Sequence, residues 1–156
     1  MPESVIPALL SAMVDAYQNT VAPDALVSLG YQDSDDPNPV QIVVGDDISG
    51  SGTGGVDATG EWADSNQFRV EERGTVTVSV MTWNGDKDFA QASEAAWDVF
   101  AACSAYHRAS ATTALGVDGL VWTRPGGDRR VRFVPYEAAA VVFLVFSIDF
   151  YAYLNP

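Results

Sequence analysis

The sequence has one cysteine and one histidine, Cys103 and His107. A single thiol excludes an internal disulfide and a zinc site built from thiolates. Positive charge is also scarce: 8 bases stand against 21 acids, for a net charge of −13. The scarcity is uneven, because eleven acids precede the first basic side chain, Arg69. A front half of that sign repels phosphate, which argues against nucleic-acid binding of any general or sequence-specific kind. No hydrophobic run is long enough to span a membrane as a helix. The best candidate, AAAVVFLVFSI at 138–148, has eleven residues between Glu137 and Asp149, where a spanning helix needs about 20. The N-terminus has no basic region and is interrupted by Pro7, unlike a signal peptide.

What is present is globular. Hydrophobic residues make up 47% and charged residues 19% of 156 positions, which fits a folded chain and not a disordered one. A chain of this length buries roughly 70% of its unfolded surface, and the expectation is one domain over residues 1–156.

The pattern of apolar residues predicts the order α-β-β-β-α-β-β-β. Val5, Leu9, Met13 and Tyr17 repeat at four, with Ile6, Leu10 and Val14 beside them, and Ser4 stands where an N-cap belongs. Short strands follow near Leu26–Tyr31 and Val40–Val44, joined by the acidic turn DSDDPNP. Residues 45–66, rich in Gly, Asp and Ser, read as a long loop that is mobile unless a partner orders it. Phe68–Trp83 alternates as one strand, with Gly74 as a candidate bulge. Asp86 or Asp88 then caps a helix reaching about Tyr106, with Phe89, Ala92, Ala96, Phe100 and Cys103 as its inward stripe. Leu120–Thr123, the turn RPGGD and Arg129–Val134 read as a hairpin. Ala139–Tyr153 closes the chain as a strand with uniformly apolar even positions, which must be central or paired along most of its length. The fold class is α+β, a mainly antiparallel sheet packed by two helices.

None of the possible chemistry is well framed. Gly50, Gly52 and Gly55 satisfy G-x-G-x-x-G. A dinucleotide site also needs a helix to start at once, and VDATGEW follows instead. Cys103 and His107 lie one turn apart, but Cys103 falls on the inward stripe. The pair reads as a buried thiol, with His107 and Arg108 favouring the negative end of a helix. Acids cluster at Asp33, Asp35 and Asp36, and at Asp46, Asp47 and Asp57, without the ligand spacing of a calcium loop. The expectation is no enzymatic activity, no metal and no cofactor. Half of the bases, Arg124, Arg129, Arg130 and Arg132, lie within nine residues. They read either as a solvated hairpin or as a docking patch for an acidic protein surface, a second copy's acidic half included.

The segments VIPALLSAMVDAY and PNPVQIVVGDD, then RVEERGTVTVSVMTWNGDKDFAQASEAAWDVFAA and AVVFLVFSIDFYAYL, resemble tail terminator proteins of long-tailed bacteriophages. The likeness runs over nearly the whole chain and contains no signature motif. It implies a small α+β subunit of a hexameric ring at the head-proximal end of the virion tail, assembled in the host cytoplasm. That ring caps the tail tube, stops its polymerisation and meets the head–tail connector. Its partners are then other copies of itself, the tail tube protein and the connector protein, with no catalytic residue and no cofactor. On this reading Asp33, Asp35, Asp36, Asp46 and Asp47 form an acidic lumen or subunit-contact face, and the arginine cluster is a protein–protein interface. The 45–66 segment is longer than the family pattern. Two other classes fit the same sequence: a different neck or minor tail component, and a small hydrolase or ligand-binding domain.

Overall fold

The computed structural model describes residues 4–31, 38–49, 55–64, 69–110, 113–136 and 139–154. Helix α1 spans Ile6–Ala16 and continues as a π-helical turn over Tyr17–Val21. Val5, Leu9, Met13 and Tyr17 are buried, as the spacing of four requires. The N-cap position is Val5, one residue later than expected. The helix start is instead tied down by Glu72 from the middle of the sheet. One carboxylate oxygen accepts the Val5 N–H at 2.8 Å and the other accepts the Ser4 hydroxyl at 2.7 Å. Ser4 Oγ in turn accepts the Ile6 N–H at 3.1 Å. An acid placed there also suits the positive end of the helix.

The strands are β1 (Leu26–Leu29), β2 (Val40–Val44), β3 (Val56–Asp64), β4 (Arg69–Asn84), β5 (Leu120–Tyr136) and β6 (Ala139–Leu154). Helix α2 (Phe89–Ala109) lies between β4 and β5 in the chain. Its N-cap is Asp88, whose carboxylate accepts the N–H groups of Ala90 at 3.0 Å and Gln91 at 3.2 Å. The sheet order is β1-β2-β4-β6-β5, and β3 pairs with the remaining stretch of the β4 edge that β2 uses. Among the described residues only β1 and β2 run parallel, and the other pairings are antiparallel. The class is thus α+β with a mainly antiparallel sheet.

β6 is central. It is paired with β4 from Ala140 to Leu154 and with β5 from Ala139 to Ala152. Its even residues are all buried, from Ala140 to Leu154. They meet both helices: the Phe100 ring of α2 stands edge-on to Phe146 at 5.0 Å, and the core joins Leu9, Met13 and Tyr17 to Val142, Leu144, Ile148 and Phe150. Thr82, on the same face of β4, donates its hydroxyl to the Ala92 carbonyl at 2.6 Å. The opposite, odd face of the sheet has no helix on it among the described residues.

Three expectations are corrected here. The segment 45–66 is not all loop, since nine of its residues form β3. β4 is 16 residues long and β2 covers only Val78–Thr82, so a free ladder of backbone donors and acceptors remains at Arg69–Val76. Pairing with that ladder outweighs the poor strand propensity of Gly and Asp. The arginine segment is not a hairpin either. Leu120–Tyr136 runs along β6 as one strand, with Pro125 opposite Ile148 and Arg129 opposite Phe146. RPGGD is absorbed as a bulge, because folding back would leave much of apolar β6 without a neighbour. A side chain on Gly126 would come within 2.2 Å of Ser147 Oγ. Gly74, finally, marks no bulge, as the β4–β6 register is unbroken there. It marks a close approach: a Cβ would lie 2.2 Å from the Asp57 carbonyl oxygen and 2.8 Å from the Phe150 ring.

Candidate functional site

The helix-free face collects the polar side chains of the sheet. Antiparallel partners share a face, so the register places Asp57, Thr75, Asp149 and Arg124 in one row across β3, β4, β6 and β5. Thr75 donates to Asp149 at 3.0 Å within that row. The next row is Thr59, Arg73, Tyr151 and Trp122. Here the Arg73 guanidinium lies 4.9 Å from the Tyr151 ring and 3.4 Å from the Glu71 carboxylate. Arg124 reaches over the Trp122 ring at 4.4 Å. These contacts are partly exposed, and each contributes modestly.

At mid-sheet the loop after β2 folds over the same face. Gly45, at φ +82°, turns the chain and donates to the Thr77 carbonyl at 2.7 Å. Ser79 Oγ donates to the Asp46 carbonyl at 2.6 Å and accepts the Ile48 N–H at 3.2 Å. The Asp47 carboxylate is buried and accepts both the N–H and the hydroxyl of Ser49, at 2.9 and 2.6 Å. Arg130 closes a salt bridge onto Asp47, and Arg132 donates to the Ser49 carbonyl at 2.6 Å. One predicted interface arginine, Arg130, therefore clasps a predicted acidic residue, Asp47, and a second, Arg132, holds the same loop at Ser49, each 83 positions away within one chain.

Beyond the clasp the face is apolar. Tyr31, Met81, Trp83, Val134, Tyr136 and Phe143 are among the residues lining a shallow hollow of about 710 Å³. Tyr31 and Tyr136 are 60% and 66% exposed, so nothing among the described residues covers this end.

The four predicted arginines are brought to one strand but not to one face. Arg124, Arg130 and Arg132 share the helix-free side, because the RPGGD bulge adds an even number of residues and preserves parity. Arg129 lies on the helix side, 4.7 Å over the Phe100 ring. Of the predicted acids, Asp46 accepts the Tyr31 N–H at 3.3 Å and Asp47 is clasped. Asp33, Asp35 and Asp36 lie outside the described residues. Glu72, Arg73 and Trp122 escaped the sequence reading. Only Glu72 left a signal: two consecutive acids in a strand put one of them on the inward face.

The Cys103–His107 pair is closed off from solvent. His107 is fully buried, with Nε2 2.6 Å from the Tyr17 hydroxyl and Nδ1 2.7 Å from the Thr123 hydroxyl. Either neutral tautomer satisfies both nitrogens, because each hydroxyl can donate or accept. Burial lowers the His107 pKa to about 4, pushes Cys103 up to about 12 and raises Tyr17 well above the usual phenol range. All three are neutral at pH 7. His107 therefore does not complement the α2 C-terminus as a cation, which corrects the expected role. It bolts three elements together through two hydroxyls. Among the described residues no cluster of three His, Cys, Asp or Glu side chains is arranged to hold a metal ion, and no helix is long and apolar enough to cross a membrane.

No protein-family model matches the sequence, and no curated protein matches it. The fold has a solved counterpart. The chain is similar to a chain of the virion of the native gene transfer agent (GTA) particle, with a TM-score of 0.56 at 17% identity. The match covers 97% of this chain and 100% of the other. At that identity the two share a fold, end to end.

Proposed function

We propose that this chain is a structural virion protein without catalytic activity, and more narrowly a tail terminator of a long-tailed phage or phage-like particle. The observation that carries the reading is the full-length fold likeness to a GTA virion chain, which agrees with the terminator resemblance of the sequence. The buried, neutral Cys103 and His107 favour a structural role over hydrolysis. The helix-free face, with its clasped loop and uncovered apolar hollow, is suited to protein contacts.

As a terminator, six copies form a ring that caps the tail tube and meets the head–tail connector. A ring needs two different faces on each subunit. The Arg-bearing β5 lies at one edge of the sheet, while β1 and β3 lie at the other, with Asp57 and Glu61 exposed on β3. The test is mass measurement of the purified chain, alone and with tail tube protein. A closed ring that stops tube growth is the expected result. A ring that binds other neck proteins but not the tube would make this a different neck component, and a chain that stays monomeric with every tail protein would overturn the reading.

A further inference from the structure

Among the described residues, two exposed apolar surfaces have nothing packed on them, and they lie on opposite sides of the sheet. The first is the hollow at the end of the helix-free face, where β4 ends and β6 begins. Tyr31, Met81, Trp83, Tyr136 and Phe143 on its wall are residue types that protein interfaces favour. Arg132 borders it: it stands opposite Phe143 in the register and is exposed beyond the bond it gives to the Ser49 carbonyl.

The second surface is the outer side of α2. Trp97 is 38% exposed there, edge-on to Phe100 at 5.6 Å. Glu94 and Asp98 are exposed on either side of it, and positions three and four apart share one side of a helix. Arg108, the one Lys or Arg of α2, lies in its last turn. The knob is thus an apolar ring flanked by carboxylates, and the hollow is an apolar floor bordered by a guanidinium. The sheet separates the two, so Trp97 cannot reach the hollow of its own chain. Hollow against hollow would oppose two arginine borders, and knob against knob would oppose two pairs of acids. Only the unlike surfaces match in both polarity and charge. A contact between unlike surfaces is head-to-tail, and its repetition closes a ring when the rotation allows.

We infer that Trp97 of one copy seats in the hollow of the next, with Glu94 and Asp98 towards Arg132. This rests on the ring reading and specifies its joint, which uses the two sides of the sheet. Trp97→Glu removes the knob and leaves the hollow, while Tyr136→Glu places a carboxylate in the hollow and leaves the knob. Both positions are exposed, and circular dichroism checks that each variant folds. Each variant alone should lose the ring in sedimentation, with association weaker by about tenfold or more. Mixed in equal amounts at high concentration, the two should form a dimer and nothing larger, because one intact knob meets one intact hollow. Should Trp97→Glu fail to fold, Glu94→Lys combined with Asp98→Lys, both at exposed helix positions, takes its place in the mixture. A mixture that stays monomeric, or a ring unchanged by either variant, would overturn the joint and leave the ring standing. Dimers of the Trp97→Glu variant alone would overturn it in favour of hollow-to-hollow pairing. A wild-type chain that forms no ring would overturn both.

Discussion

Phe146 sits at the middle of β6, 2% exposed and edge-on to Phe100. Phe146→Ala should cost roughly 3–5 kcal/mol, the usual range for an enclosed aromatic, readable as a shift in the urea midpoint. A change below about 1 kcal/mol would mean that the even face is not the core. His107 makes a pH prediction. Its folded pKa is about 4 against the ordinary imidazole value of 6.5, so between those values the unfolded chain binds more protons. Its contribution is fully present above pH 6.5 and is lost as pH falls towards 4. At pH 5 the loss is about 2 kcal/mol relative to pH 7.5. His107→Gln should flatten that part of the stability–pH profile in denaturant titrations, and a slope unchanged by the substitution would assign it to carboxylates. The one-turn spacing of Cys103 and His107 was legible in the sequence. The hydroxyls of Tyr17 and Thr123 that neutralise the imidazole were not, because they come from elements 90 and 16 residues away.

At the scale of elements, the instructive cases are β3 and β5. Local composition marked 45–66 as a loop and RPGGD as a turn, and in both places long-range pairing overrode it. The strands that read correctly, β2, β4 and β6, carry their own β-branched and aromatic alternation. Those that misread are completed by a neighbour: β3 by the free ladder of β4, and β5 by the length of β6. The same neighbours build the clasp over 46–49. Arg130→Ala should remove the charged cover from buried Asp47 and cost about 1–3 kcal/mol locally. Amide exchange at Ile48 and Ser49 should rise by about tenfold or more, the equivalent of 1.4 kcal/mol. Asp47→Asn in the same background should recover part of the loss, because it removes the buried charge. Unchanged exchange in Arg130→Ala would show that Ser79, Arg132 and the backbone hold the loop without it.

For the whole molecule, the consequence of the arginine strand is double. Changing Arg129, Arg130 and Arg132 together to Ser should weaken self-assembly or tube capping, with the wild-type association falling as salt rises. It should also loosen the 46–49 loop, since two of the three hold it. Arg129→Ser separates the effects: it leaves both clasp bonds in place, so a loss of assembly without a change in exchange at Ser49 isolates docking. Assembly of the triple variant equal to wild type at physiological salt would leave these arginines as intramolecular fasteners only. The sequence by itself determined the two helices and that β6 is paired along most of its length with a buried even face. Those follow from the periodicity of apolar residues, which is a local property. Only the tertiary structure decided that β3 exists, that β5 is unbroken, that Glu72 caps α1 and that arginine and acid meet within one chain. Each of these depends on which distant backbone or carboxylate stands opposite, and that is fixed by strand register and not by the residues' own preferences.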